Sequence, residues 1–517
     1  MSELNVTVLL HQDDEQRLRP AIATLAKQTN KQFEIIFLAE DASFAPQPLL
    51  QQEALSDTPV QVVQGKTLGE ALNKAFRQAN SPFILYINNR QTEIQLKQAA
   101  IDLFLHAMKR NKKAGMIYAD YELETDGVVQ ELHLLKHHIG RVRDNQDFGR
   151  VFFYRKSALE QVGLADASLK FNTLYDLRLR LSEKSELVHI ANRYAGSLYR
   201  VVAQGKSHNV FDYLLASKES QLEAESVLTE HLKRINAYLA PGAFYTPRPA
   251  PPQEATLKAS VIIPVNNRPE FIGKAIESVQ AQTVQQVEVI VIVNGGPDDP
   301  TIPEIKRYMK GGDKYDAARP EVRMLVYDIN NIGFCLNMGA EIARGEYYVQ
   351  LDSDDRLKPD AVEKILEVYD SDPKVGMVIG SYEVWQLEED GRYFRMKDLP
   401  VVTHDEWTEE NGRNNLLRVN GAGAPRSLPI QLIREIGFSM NEEPFARNYG
   451  EDYNMVLQVS ERHRIGRVWE AIYEVVRHAG GTDHSIDQAT IDRNDEAKDF
   501  MRAEAIKRRI KMNEQGK

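Results

Sequence analysis

Asp352, Ser353, Asp354 and Asp355 close an apolar run in YYVQLDSDDRLKP, residues Tyr347–Pro359. Carboxylates at i and i+2 just past a buried strand are hard oxygen ligands for Mg²⁺ or Mn²⁺. An ion held there would neutralise phosphate oxygens and act as a Lewis acid on a leaving diphosphate. The plainer alternative is a solvated acidic turn, or Asp354 or Asp355 capping a helix that begins near Pro359. Glu451 and Asp452, in NYGEDYNMVLQ, open a segment whose Met455, Val456 and Val459 share one helical face. Acids in a first helical turn also simply complement the helix dipole. His478 stands beside Gly480 and Gly481 in EVVRHAGGTDHSI, with His484 downstream. A lone loop histidine is more often structural than ligating.

The elements that position these residues occur twice. NVTVLLHQDDEQRLRPAIATLAKQTNKQFEIIFLAEDAS near the N-terminus is matched by KASVIIPVNNRPEFIGKAIESVQAQTVQQVEVIVIVNGGP from Lys258, with Gln28-Thr29 falling on Gln282-Thr283 and no gap required. Each reads as strand, polar loop, amphipathic helix, strand. Runs such as SVIIPV and VEVIVIV have the composition of buried parallel strands. In PEFIGKAIESVQAQT, Phe271, Ile272, Ala275, Ile276 and Val279 fall on one helical face. The match resumes twice: Gly69 and Asn73 pair with Gly333 and Asn337, and YDLRLRLSEKSELVHI resembles EDYNMVLQVSERHRIG. Three matches in one order imply two copies of an α/β domain with a mostly parallel sheet. The expected organisation is residues 1–240, a proline-rich linker 241–257, a second domain 258–486 and a helical tail 487–517. The tail has a basic end, which suits a solvated helix packed on the second domain or a contact with a membrane surface or partner.

The chain has 517 residues, too many for one ordinary domain. With 64 Lys and Arg against 75 Asp and Glu, the net charge of −11 argues against general nucleic-acid binding. The single cysteine, Cys335, excludes an internal disulfide framework and fits a reducing compartment. No apolar stretch is long enough to span a bilayer, and no signal peptide is visible, so the expected location is the cytoplasm, with peripheral contact at the inner face of the membrane left open.

The ordered series SVIIPVNNRPEFIGKAIESV, NIGFCLNMGAEIARGEYYVQLDSDD, YGEDYNMVLQ and the late RHAGG resembles the family 2 glycosyltransferases of the GT-A fold, from Ala259 to about Ser485. The resemblance implies that Pro264, Val265, Asn267 and Arg268 line the nucleotide base and ribose. Asn266 stands where that family often has tyrosine, and Asn294 where it has an aspartate that reads the base or ribose. Asp352 would contact ribose or metal, Asp354 would be the main ligand of Mn²⁺ or Mg²⁺, Asp355 the least involved, and His478 would complete the coordination. Asp452 would be the general base, with Glu451 orienting the acceptor or a neighbouring cation. Gly421 to Arg426 is a candidate acceptor wall, and His404 and Trp407 lie in a segment that suits a lid or an acceptor loop.

In the matched register the first copy has Asn88, Asn89, Arg90 and Gln91 in place of the acidic turn, Thr173-Leu174 opposite Glu451-Asp452, and Gln204 opposite His478. A guanidinium cannot ligate a metal. Glu40 and Asp41 remain at the end of its second strand, and Asp176 lies two residues beyond the expected base. The implied protein has one active, metal-dependent, inverting site. It moves a sugar from a nucleotide-diphosphate donor, a UDP-sugar, to a hydroxyl on a glycan, lipid-linked glycan or glycoprotein, as in bacterial surface-glycan assembly. The first copy would serve packing, homo-oligomer formation or acceptor holding. The competing readings are a bifunctional polymerase with two active sites and a non-catalytic nucleotide-sugar or glycan-binding protein.

Overall fold

Short β-branched and aromatic runs separated by amphipathic segments make two successive units, Met1–Ile235 and Asn236–Lys517. The structure is a computed structural model that describes residues 4–12, 14–40, 44–192, 196–203, 217–403, 412–419, 421, 423–440, 442, 450–478 and 488–516.

In the first unit the strands are β1 (Val6–His11), β2 (Phe33–Leu38), β3 (Val60–Val63), β4 (Phe83–Ile87), β5 (Glu93–Leu96), β6 (Ala114–Ala119), β7 (Tyr121–Thr125), β8 (Val128–Leu132), β9 (Val151–Arg155), β10 (Glu186–Ile190) and β11 (Tyr199–Ala203). They form a seven-stranded sheet, β10-β6-β9-β4-β1-β2-β3, and a four-stranded sheet, β5-β11-β7-β8. In the larger sheet only β9 runs antiparallel to its neighbours.

The second unit contains β12 (Leu257–Val265), β13 (Val287–Val293), β14 (Glu321–Val326), β15 (Gly345–Gln350), β16 (Arg356–Leu357), β17 (Val375–Leu387), β18 (Tyr393–Arg395), β19 (Arg426–Pro429) and β20 (Arg464–Arg477). Their order is β14-β13-β12-β15-β19-β17-β20-β16, with β18 on β17. Long β17 takes the places of β6 and β7, and long β20 those of β10 and β11, so one nine-stranded sheet replaces two. Every pairing and its sense are otherwise the same, including antiparallel β19 between β15 and β17. The expected tandem α/β architecture, with mostly parallel sheets and a C-terminal helix, is what the chain adopts.

Buried polar side chains repeat with the strands. Glu34 accepts from Thr7 Oγ1 and the Asn80 amide, and Glu288 accepts from Ser260 Oγ and the Arg344 amide. Gln28 donates to Lys97 O as Gln282 donates to Lys358 O, each stapling the first helix to the turn after the unit's fifth strand. Asn73 bonds the backbone of Ala165 through both amide atoms, and Asn337 does the same with Phe438. Each such carboxylate or amide is fully satisfied, which lets a polar group sit in a core. These pairs also correct the ungapped match. Thr7 corresponds to Ser260 while Glu34 corresponds to Glu288, so the second copy carries one additional residue, in the loop 266–268. Asn267 in that loop has φ 51°.

The proline-rich stretch is not a spacer. The amides of Thr246 and Arg248 bond Arg462 O and Pro373 O, and the Arg248 guanidinium lies 5.3 Å from the Tyr369 ring centre, all within the second unit. The C-terminal helix, Gln488–Gln515, packs on the helix Glu451–Arg462. Its Asp499 and Arg502 are fully buried as a 2.7 Å ion pair, and Arg502 also donates to Val419 O. No helix among the described residues is long and apolar enough to cross a membrane.

Candidate active site

Parallel strands β12, β13 and β15 leave a crevice at their carboxyl ends, where α/β sheets hold ligands. A cleft of about 590 Å³ opens there. Of the residues expected from sequence, Pro264, Val265, Arg268, Asn294, Asp352, Asp354, Glu451 and Asp452 line it. Asn267 does not: its amide donates to Asp299 Oδ2 at 3.0 Å, and Asn266 lines the cleft instead. Asn294, 5% exposed, has its Oδ1 buried without a hydrogen-bond partner.

The acidic turn divides by role. The Asp352 amide donates to Tyr473 Oη at 3.0 Å, which pins the turn to β20. Burial, and after it the Asp354 charge, push the Asp352 carboxyl up. Asp354 Oδ2 lies 3.1 Å from His478 Nε2, and the His478 ring rests against Phe271 with centres 4.1 Å apart. Asp355 is buried and accepts from the Val476 amide at 2.8 Å. Burial, then Asp352 and Asp354, drive its carboxyl well up, and its bond to Val476 ties the turn to β20. Phe271 therefore leaves the core face expected of it and positions the histidine.

The helix Glu451–Arg462 starts where its pattern predicts, and Met455, Val456 and Val459 are buried. Asp452 Oδ2 pairs with Arg426 Nη2 at 2.9 Å. Arg426 opens β19; its backbone amide donates to Gln350 Oε1, and its guanidinium is held between Asp452 and Gly423 O, to which Nη1 donates at 2.6 Å. Burial works to raise the Asp452 carboxyl, but Arg426 and Lys498 outweigh it and hold it below the usual range. For Glu451, burial and then the Asp452 charge win, and its carboxyl is pushed up to about 7. Neighbouring carboxyls driven apart in this way mark acid–base sites. Around neutrality the pair holds one firm charge, on Asp452.

Sequence reasoning missed Lys498, Tyr473 and the role of Phe271. Lys498 comes from the tail helix, whose polar pattern resembles a solvated face. Arg426 fell inside the expected acceptor wall but without its partner. His404, Trp407, Gly480, Gly481, His484, Asp41 and Gln204 lie outside the described residues. Asp176 of the first unit is committed to Arg180 at 2.6 Å.

Residues 260–420 match the family model for glycosyl transferase family 2. The chain is 34% identical over 130 residues to the chondroitin synthase of Escherichia coli, covering 24% of this chain and 18% of that protein. It is 30% identical over 140 residues to the glycosyltransferase GlyG of Streptococcus pneumoniae, covering 26% and 42%. The chain thus spans about a fifth of the length of the first curated relatives it matches. Among solved structures, Staphylococcus aureus TarS 1-349 in complex with UDP-GlcNAc is similar at TM-score 0.34 and 18% identity, covering 45% of this chain and 62% of that one. A mannosyltransferase from Pyrobaculum calidifontis in complex with GDP-Man and Mn²⁺ is similar at TM-score 0.32 and 14% identity, covering 57% and 84%. The matched segment begins in β12 and takes in Asn294 and the Asp352–Asp355 turn, so the likeness to family 2 glycosyltransferases falls on the second unit.

Proposed function

We propose that the second unit transfers a sugar, with inversion, from a nucleotide-diphosphate sugar to a hydroxyl acceptor, and that Asp452 is the base. The observation that carries this is Asp452, paired with Arg426 at 2.9 Å, in the same cleft as Asp354, whose Oδ2 lies 3.1 Å from His478 Nε2. The acceptor hydroxyl gives its proton to Asp452 as its oxygen forms a bond to the anomeric carbon. The bond from that carbon to the diphosphate oxygen breaks, and the diphosphate leaves with the electron pair. No enzyme nucleophile is needed. Arg426 and Lys498 keep Asp452 deprotonated, and Glu451 completes the acidic pair.

Among the described residues no three His, Cys, Asp or Glu side chains converge as a ready metal cage. The donor set still suits a divalent ion. Two ligands about 2.1 Å from one octahedral ion sit about 3 Å apart, and Asp354 Oδ2 and His478 Nε2 are 3.1 Å apart. Imidazole with carboxylate favours Mn²⁺ over Mg²⁺. Asp354 and His478, with Asp352 beside them, would hold the ion, which when bound supplies charge neutralisation to the departing diphosphate.

A UDP-sugar fits Asn294. Its orphaned Oδ1 requires a donor, and uracil presents an N–H between two carbonyls. The acceptor is proposed to be a growing surface glycan, since two curated relatives are named chondroitin synthase, and the reaction is placed in the cytoplasm. The test is nucleoside diphosphate release from a panel of nucleotide sugars with Mn²⁺. Asp452→Asn is expected to lower kcat by about 10²–10⁴. An unchanged rate in that variant refutes the assignment.

A further inference from the structure

The first unit repeats the strand order of the second, and its cleft is rebuilt rather than erased. By strand register His11 stands where Pro264 stands, and Tyr86 where Gln350 stands. Pro264 and Gln350 border the open cleft of the second unit. His11, 5% exposed, fills that place and sits 2.8 Å from Tyr86 Oη. Asn89, also buried, bonds the backbone N–H and C=O of His11 and zips the ends of β1 and β4 together. Burial, then Arg90, depress the His11 imidazole to about 3, so this plug stays neutral. The slot at the carboxyl ends of β1 and β4 is therefore closed.

The other half of the cleft stays open, at about 520 Å³. Arg90, Arg150 and Lys170 border it, against one opposing charge, Asp144. Arg150 is paired with Asp147 at 3.1 Å and Lys170 with Glu219 at 2.6 Å. Both are solvent-exposed pairs of the kind that contribute little and exchange readily. Phe171 presents a 49% exposed ring to the same space. Asn88 Oδ1 and Thr92 Oγ1, also on this wall, are buried without hydrogen-bond partners. Guanidinium and ammonium groups that exchange out of such pairs recognise carboxylate or phosphate. An exposed aromatic face offers apolar contact to a ring. Orphaned polar atoms require donors or acceptors such as hydroxyls.

We propose that this first-unit cleft is a binding site for an acidic saccharide, a sugar chain bearing carboxylates or phosphates, held without metal or nucleotide. The full chain is titrated in EDTA with a hexuronic-acid hexasaccharide, with its carboxyl-reduced neutral counterpart, and with a sugar phosphate. The acidic probes are expected to bind, the hexuronic acid or the phosphate binding tighter according to which is the natural charge, and the neutral one to bind at least about tenfold more weakly. Arg90→Gln with Arg150→Gln is expected to weaken binding of the acidic probe by about tenfold or more. Arg90→Lys with Arg150→Lys should retain most of it. Phe171→Ala should weaken both charged and neutral probes. Circular dichroism and the thermal midpoint report whether each variant is folded. UDP is expected not to compete. Failure of both acidic probes to bind overturns the proposal, as do equal affinity for the neutral hexasaccharide, indifference of a folded Arg90→Gln/Arg150→Gln protein, or competition by UDP.

Discussion

Arg426→Gln tests whether the guanidinium sets the protonation state of the base. Asp452 and Arg426 approach to 2.9 Å, with side chains 27% and 16% exposed. Unit charges about 4 Å apart at an effective dielectric of about 20 attract by about 4 kcal/mol. Lys498 remains in the variant, and water enters the space that the guanidinium leaves, so about half of that, roughly 2 kcal/mol, is the expected loss. The sign follows from the shift. Asp452 is held below the usual carboxylate range, and removing the cation raises it, so the base becomes protonated at a higher pH. The deficit in kcat/KM relative to wild type should grow as pH drops below the variant's new limb, toward a limit of about 30-fold below the wild-type limb. The deficit should close as pH rises and the carboxyl ionises again. The assay is the pH profile of nucleoside diphosphate release in saturating Mn²⁺. A loss that is the same at every pH would mean that Arg426 binds substrate or shapes β19, and the electrostatic account would fail. An unshifted acid limb would refute it equally.

The acidic neighbour gives the opposite sign. Glu451 is raised from 4.5 to about 7 in the folded chain, so the stability it contributes is present at pH 4.5 and lost as pH rises through 7. That loss is at most about 3 kcal/mol. Thermal midpoints should show Glu451→Gln gaining on wild type between pH 5 and pH 7.5, and parallel curves would contradict the shift. For the ion site, Asp354→Asn and His478→Asn are each expected to weaken Mn²⁺ binding in the presence of UDP by at least about tenfold, measured by titration of the metal signal. Unchanged affinity in both would remove them as ligands.

How far the sequence reaches depends on the range of the interaction. The strands and the repeat were readable because burial writes itself into local composition, as in VEVIVIV, all of which is buried. The Asp352–Asp355 turn and the start of the helix at Glu451 were readable for the same local reason. The one-residue offset was invisible, because Gln28 and Gln282 match so well that a gap in a polar loop has no local signature. Only the Thr7–Glu34 and Ser260–Glu288 pairs across strands reveal it. Lys498 reaches the cleft from 46 residues beyond Asp452 in the chain, on a helix whose polar pattern says only that part of it is wet. Its place depends on the buried Asp499–Arg502 pair that fixes the helix rotation.

The same distinction bears on why the first copy looks inactive. Loss of the acids at Asn88, Asn89, Arg90 and Gln91 could by itself have been a drift that left an open slot behind. Asn89 instead bonds the backbone N–H and C=O of His11, and His11 reaches Tyr86, so three substitutions act together to close one half of the cleft. Random loss of ligands does not produce a satisfied, buried hydrogen-bond network, because each partly made stage leaves a polar group unpaired at a cost of about 1–3 kcal/mol. On the proposal above, the closed slot beside the open half around Arg90, Arg150 and Phe171 is what directs binding in the first unit to the open half.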